Sequence, residues 1–383
     1  MKILVTCHGF LTPSMTFIYN QIRALQNQGH IVEVVACERK NEHLFPLENV
    51  HIYKEKKDFN YIISAFKRKL NIDFTYFSSS FSKNFQRHIA TFEPDIVHCH
   101  FGTHFFRLGD YFKWSPSPTV ITFHGYDASA ALTNKAYCNS LNKVFTNPLV
   151  SGTAVSEALK SNLVNTGIPS EKIIVDYLGV DIDFFKREKR REFNSNAPAT
   201  FLQIANFVEK KGHQYTLKAF KKHLEATKSN DVLIFGGTGP LFEEMVQLSK
   251  KLNLQQNVKF IGLVDKFQVK ELMEDAHFFV HHSITAADGD TEGLPTVLME
   301  AMAMELPCIS TFHAGIPEII DHEKNGLLVE ERNIEDMEKA FSVIKKMEFQ
   351  PRLVVKTNFN LDKNTQNIAA IFEGLIKHDA KSE

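Results

Sequence analysis

The sequence predicts an α/β protein made of two doubly wound, parallel-sheet domains. Short β-rich runs alternate with stretches of helical apolar spacing, the pattern of parallel sheets covered on both faces. The 383 residues exceed what one ordinary core organises. A charged stretch, Lys186-Arg-Glu-Lys-Arg-Arg-Glu-Phe-Asn-Ser-Asn-Ala-Pro198, interrupts the alternation, and a second α/β unit begins at Thr200.

Taken in order, Lys2–Thr6 reads as a first strand, followed by a loop containing Gly9 and a helix from Met15 to Gln28 that Gly29-His30 ends. Ile31–Ala36 returns as a strand, and Asp95–His98 and Thr119–Thr122, each preceded by Pro, read as further buried strands. These elements define an N-terminal domain over 1–190 and a linker over 191–199. A C-terminal domain over 200–357 has strands at Thr200–Ile204, Val232–Phe235, Val258–Ile261, Phe278–His281 and Cys308–Thr311. Helical apolar spacing over 358–383 closes the chain. Open parallel sheets bind ligands beyond the carboxyl ends of their strands, so two such domains facing each other place a site in the cleft between them.

At 43% hydrophobic and 23% charged residues the chain has the composition of a soluble globular protein, and a net charge of −1 argues against a dedicated nucleic-acid binder. Residues 1–190 carry 22 Lys+Arg against 17 Asp+Glu, and the remainder 22 against 28. Such a basic half suits anionic lipid or a phosphorylated acceptor, although ordinary scatter gives the same imbalance. Lys54-Glu-Lys-Lys-Asp and Phe66-Lys-Arg-Lys-Leu70 mix bases with aromatics and read either as a membrane-surface element or as a solvated helix face. Five cysteines with no Cys-x-x-Cys pair read as buried free thiols in a reducing compartment. No signal-peptide apolar region and no eighteen-residue apolar run occur, so the expectation is a cytoplasmic protein, free or peripheral on the inner face of the plasma membrane.

The densest signal is Asp288-Gly-Asp-Thr-Glu-Gly-Leu-Pro-Thr-Val-Leu-Met-Glu300. Pro295 suits the first turn of a helix, which leaves the amides of Thr296, Val297 and Leu298 as an anion site. Glu292 stands just before that terminus and Glu300 inside the helix, placing carboxylates on either side of a bound phosphate. Gly236-Gly-Thr-Gly-Pro240 follows a strand; Gly237 and Gly239 there let backbone approach a ligand, though strand-to-helix turns also use Gly structurally. His98-Cys-His100 places two imidazoles on one strand face without a third ligand at matching spacing, so no metal site is read there.

The Glu292…Glu300 spacing resembles the Glu-x7-Glu signature of retaining glycosyltransferases of family 4, which have the GT-B architecture of two Rossmann-like domains across a cleft. The longer run Ser283-Ile-Thr-Ala-Ala-Asp-Gly-Asp-Thr-Glu-Gly-Leu-Pro, with Ser310-Thr-Phe-His-Ala-Gly-Ile-Pro-Glu318, is similar to the branch that builds colanic-acid and amylovoran exopolysaccharides. The resemblance implies transfer of a hexose, with retention, from a nucleotide-diphosphate sugar to a lipid-linked or oligosaccharide acceptor. It favours a UDP-hexose donor, with GDP-mannose next, and implies no cofactor, metal or dedicated nucleophile.

Residue by residue, the resemblance puts Glu292 on the donor sugar and Glu300 on the ribose, with Gly293, Leu294, Pro295 and Thr296 around the donor. Within Glu209-Lys-Lys-Gly-His213, Lys211 falls at the position that contacts the donor diphosphate. Asn206 stands where the family usually has an Arg on that diphosphate. In Phe123-His-Gly-Tyr-Asp127, His124 meets the donor sugar and Asp127 orients its loop or touches acceptor, with His100 lining the acceptor side. Gly9 belongs to the first loop, which closes over phosphates and acceptor; Met15 replaces a Glu common there. The motif helix usually ends in Gly, where this chain has Glu305. The terminal helix is implied to cross back to the first domain. The competing readings are a GT-B nucleotide-sugar epimerase and a non-catalytic nucleotide-sugar-binding or scaffold subunit.

Overall fold

The computed structural model describes residues 1–379 apart from 12–14, 73, 76–77, 109–110, 112–116, 189–193 and 195–196. Most of the linker read at 191–199, and Thr12, Pro13 and Ser14 of the first loop, therefore lie outside the described residues. The chain forms two compact units, one from Met1–Gly179 with Leu361–Glu383, the other from Val180–Asn360.

The first unit opens with β1 (Lys2–Phe10), α1 (Thr16–Asn27), β2 (Ile31–Arg39) and β3 (Val50–Ile52). Two helices, α2 (Phe59–Lys69) and α3 (Ser79–Phe92), lead to β4 (Ile96–His100), the short α4 (Gly102–Phe105) and β5 (Thr119–Phe123). Then follow α5 (Lys135–Phe145), β6 (Val150–Ala154), α6 (Glu157–Val164) and β7 (Ile173–Val175). The strands lie in the order β3-β2-β1-β4-β5-β6-β7, and every pairing is parallel.

The second unit runs β8 (Thr200–Ile204), α7 (His213–Thr227), β9 (Val232–Gly236), α8 (Phe242–Lys251), β10 (Val258–Phe260) and α9 (Lys266–Asp275). It continues with β11 (Phe278–His281), α10 (Thr296–Ala303), β12 (Cys308–Thr311), β13 (Leu327–Val329), α11 (Ile334–Val343) and α12 (Pro351–Asn358). Its parallel sheet has the order β10-β9-β8-β11-β12-β13. The last helix, α13 (Leu361–Asp379), belongs to the first unit, where Ile368, Ala369 and Phe372 are buried in the core with Ile3, Val5, Ile18 and Leu25.

The strand order of each sheet reverses once, between β1 and β4 in the first unit and between β8 and β11 in the second. Ligands bind at such switch points, beyond the strands' carboxyl ends. The central strands are buried, as sheets covered on both faces require; every residue of β4, β5 and β6 is buried. The two cores are aromatic-rich, with Phe201 5.1 Å from Phe278 and 4.8 Å from Phe341 between ring centroids. Cys7, Cys37, Cys99 and Cys308 are buried, and all five cysteines are free.

Two expectations need correction. Gly9 is not in a loop: β1 runs to Phe10, and Gly9 pairs with Glu38. The polar His8 and the glycine itself hide this extension, in which β1 pairs with β2 as far as Phe10 and Arg39. Pro295 caps α10 instead of opening it, and the Leu298 amide donates to the Pro295 carbonyl at 3.0 Å. The first turn thus consumes one of the three amides assigned to an anion, leaving those of Thr296 and Val297 at the open end of the helix.

Candidate active site

In the second unit the loops after β8, β9, β11 and β12 supply the polar residues. After β8, the turn Glu209–Lys211 is pinned by two hydrogen bonds. The Ile284 amide donates to the Lys210 carbonyl at 2.9 Å, and Gln203 Nε2 donates to the Lys211 carbonyl at 3.0 Å. This fixes Lys211 so that its Nζ lies 2.5 Å from Glu292 Oε1. The Ser283 hydroxyl donates to the same oxygen at 3.2 Å, and His281 Nε2 stands 3.7 Å away. Beside this pair Lys210 Nζ meets Asp290 Oδ2 at 2.9 Å.

The loop is also held from behind. The Glu292 amide donates to His313 Nε2 at 3.1 Å, so His313 carries its proton on Nδ1, which meets Glu331 Oε1 at 2.6 Å. Glu331 in turn accepts from the Thr285 amide at 2.9 Å. His282 is fixed similarly, accepting from the Arg332 amide at 3.1 Å. Burial pushes the Glu292 carboxyl up, but the Lys211 ammonium, the contact with His281 and the Lys210 charge outweigh it and hold the group well below the usual carboxylate range. Glu292 is therefore a buried, ionised carboxylate. Glu300, one turn into α10, differs: burial lifts its carboxyl to about 7.

After β9, Gly237 has φ +127°, and a Cβ there would lie 2.0 Å from the Ala205 carbonyl oxygen. Gly239, at φ +157°, would meet the Phe207 backbone at 2.7 Å. Both glycines let this turn lie directly on the β8 loop, so their structural role is plain from the packing. Asn206 is exposed in that β8 loop, while Gly293, Leu294 and Pro295 are buried ahead of α10.

In the first unit the ends of β4 and β5 bring His100 and His124 together, with Nδ1 and Nε2 3.0 Å apart and stacked rings. Asp127 organises the loop: Oδ1 accepts from the His124 and Gly125 amides at 3.0 and 3.1 Å, and Oδ2 from the Gly102 amide at 2.8 Å. That one carboxylate ties the β5 loop to α4. Burial raises its proton affinity, partly offset by those amides. Burial, with His98 adding to it, lowers His124 to about 3, so this imidazole is neutral at physiological pH. Its Nδ1 has no hydrogen-bond partner among the described residues and lies beside Phe17 and Phe101. A cavity of about 460 Å³ opens in this unit, lined in part by Met15, Phe101, His104, Arg107 and Tyr126.

The structure brings Lys211 to Glu292 and His124 to His100 and Asp127. It also adds residues that the sequence reading left without a role: Ser283, His313 and Glu331. His313 stands inside the quoted Ser310–Glu318 run, which was the available signal.

Comparison with known proteins fits this geometry. Residues 15–184 match the family described as Glycosyltransferase Family 4, and residues 185–367 the family described as Glycosyl transferases group 1. The chain belongs to the family 4 glycosyltransferases. WcaL of Escherichia coli (strain K12), assigned as a glycosyltransferase of colanic acid biosynthesis, is 32% identical over 66% of this chain and 63% of its own length. The amylovoran biosynthesis glycosyltransferase AmsK of Erwinia amylovora is 30% identical over 67% of this chain and 64% of its own. The chain thus spans a little under two thirds of each of these relatives. Among solved structures, Anabaena Alr3699/HepE in complex with UDP and glucose superposes with a TM-score of 0.76, covering 98% of this chain and 100% of that one at 16% identity. The fold of this family 4 member is GT-B.

Proposed function

We propose that this glycosyltransferase moves a hexose from a nucleotide-diphosphate sugar, a UDP-hexose, to a lipid-linked or oligosaccharide acceptor, with retention of anomeric configuration, in cell-surface polysaccharide synthesis. The observation that carries the reading is the pair of half-buried Lys211 and buried Glu292 at the switch point of the second sheet, with Glu292 three residues ahead of the cap of α10. Lys211 has three ammonium protons and spends one on Glu292, so two remain for the oxygens of a departing diphosphate. The Thr296 and Val297 amides add fixed dipoles at the same leaving group. Glu292, ionised and acceptor-only, holds sugar hydroxyls, and Glu300 the ribose.

The rest of the reaction needs no protein nucleophile. As the bond from the anomeric carbon to phosphate oxygen breaks, the acceptor hydroxyl attacks from the same face, and its proton passes to the leaving phosphate. Neutral His124 offers Nδ1 to the donor sugar. The cavity of the first unit, with Phe101 and Tyr126 in its wall, has the aromatic faces that pack on saccharide rings. Support for a UDP donor and for the polysaccharide role comes from the relatives and the HepE complex named above. No metal or cofactor enters this scheme. Attachment to the membrane surface through α2 would bring the enzyme to a lipid-linked acceptor.

The experiment is thermal stabilisation of the purified chain by a panel of nucleotides and nucleotide sugars. A ligand at a hundredfold excess over Kd stabilises by about 2.7 kcal/mol. The expected result is a shift with UDP that grows with one UDP-hexose. No shift with any member, in a folded sample, replaces this reading by the non-catalytic scaffold subunit, with Asn206 in place of a cation as the cause. Donor turnover without acceptor would instead assign an epimerase. Inversion at the anomeric carbon would overturn the same-face mechanism.

A further inference from the structure

Away from the residues assigned to transfer, three side chains converge on the outer part of the first sheet. Glu33 lies on β2 and His51 on the edge strand β3, whose register pairs Val35 with His51; Glu33 and His51 therefore share a sheet face. Helix α3 covers that face and supplies His88. His88 Nε2 and His51 Nε2 approach the same oxygen, Glu33 Oε2, at 2.9 and 3.1 Å. Both nitrogens are buried, and neither is in hydrogen-bond geometry with the carboxylate. The three donor atoms lie within 4.8 Å of one another.

We infer that Glu33, His51 and His88 form a binding site for a divalent transition-metal ion of the zinc class, which clamps the edge strand β3 and helix α3 onto β2. Three donors at about 2.0–2.1 Å from a tetrahedral ion stand roughly 3.3 Å apart; the two imidazole–carboxylate separations are within a few tenths of an ångström of that, and the two imidazole nitrogens lie within 4.8 Å of each other. Two imidazoles and one carboxylate suit zinc or its first-row neighbours and do not suit magnesium or calcium, which prefer all-oxygen shells. The outer shell is in place too: Tyr53 Oη is 3.1 Å from His88 Nδ1. With that Nδ1 proton donated to the hydroxyl, Nε2 presents its lone pair inward. His51 is 38% exposed and His88 8%, so the site opens to solvent on one side, leaving the ion an entry path and a fourth position for water.

Among the described residues one other cluster competes for the same ion: His8, Cys37 and Glu55. Its carboxylate is already held by Arg107, whose Nη1 lies 2.8 and 2.6 Å from the two oxygens of Glu55. Glu33, by contrast, meets only the two imidazoles among the ion pairs of the described residues.

The test is titration of the metal-stripped full chain with Zn2+ against a chromophoric chelator, and with Co2+ followed by its visible spectrum. One equivalent of Zn2+ is expected, with Co2+ giving ligand-field bands and no thiolate-to-cobalt charge transfer. His51→Ala and Glu33→Gln are expected to abolish the bound equivalent. Tyr53→Phe should weaken it by about 10- to 100-fold, and Cys37→Ser should leave it unchanged. His51 is half-exposed on an edge strand and Glu33→Gln keeps volume, so far-UV circular dichroism should confirm that at least one variant is folded. The site is overturned by any of three results: no bound equivalent in the parent chain, a bound equivalent that survives both ligand variants, or one lost only in Cys37→Ser.

Discussion

Glu292 receives Lys211, Ser283 and His281 on its carboxylate, and His313 holds its backbone amide. Glu292→Gln removes the charge and keeps the shape, so nucleotide binding and fold should persist while kcat falls by at least about 100-fold. A product assay beside a UDP thermal shift separates the two effects; full turnover by the variant would take Glu292 out of the site. The histidines of the first unit make a second residue-scale prediction. Burial lowers His98 and His124 to about 3, against an ordinary value of 6.5. Their neutral forms therefore favour the fold fully above pH 6.5. Between pH 6.5 and 3 the unfolded chain takes up protons that the folded chain refuses. Stability should fall by about 1.4 kcal/mol per pH unit for each of the two. Denaturant midpoints at pH 7.5 and 5.5 would measure the slope, and His98→Asn should reduce it. A slope unchanged by that substitution would mean His98 titrates normally.

At the scale of elements, Glu305 is the informative position. It follows α10 with φ +61°, and the end of the helix carries both bonds of a Schellman cap. The Glu305 amide donates to the Met302 carbonyl and the Leu306 amide to the Ala301 carbonyl, each at 3.0 Å. A side chain in that left-handed conformation costs on the order of 1 kcal/mol relative to Gly. Glu305→Gly should therefore raise the unfolding free energy by about 1 kcal/mol, read from the denaturant midpoint; a lower midpoint would mean the Glu305 side chain makes compensating contacts. This cap was legible because a helix followed by Leu306-Pro307 must end there. Thr200–Ile204 and Phe278–His281 were legible because each is a mainly apolar run between polar breakers, and Cys308–Thr311 because Pro307 sets it off from the preceding helix. β3, β7 and β13 are three residues each, too short for any periodicity, and β6 reads Val-Ser-Gly-Thr-Ala with no apolar run at all. In the site, Glu292 and Lys211 stood out through motif chemistry. His313 and Glu331 did not, because their contacts form only when the loops after β11 and β12 fold over one another.

For the molecule as a whole, the composition left open whether the basic, aromatic stretch around α2 is a membrane element or a solvated helix face. No helix among the described residues is long and apolar enough to cross a membrane. Helix α2, however, turns its apolar stripe outward. Phe59 is 75% exposed, Ile62 59% and Phe66 62%, with Ile63 and Leu70 on the same stripe, while Ser64 is buried beneath. An ordinary solvated helix would present the reverse pattern. Lys67, Arg68 and Lys69 fill its last turn, and Lys54, Lys56 and Lys57 precede it. Apolar side chains ringed by bases match a bilayer interface with anionic headgroups, where burial of the stripe and charge attraction act together. The chain should therefore co-sediment with vesicles containing phosphatidylserine, and less with neutral ones. An Ile62→Ser/Phe66→Ser double variant should lose that binding without loss of fold or of nucleotide-induced stabilisation, because both side chains point away from the core. Rising ionic strength should weaken the parent's binding as the charges are screened. Equal binding to neutral vesicles would assign the contact to the apolar stripe alone. No binding to either would leave α2 covered by something other than lipid, and the acceptor would then have to reach the enzyme free in solution.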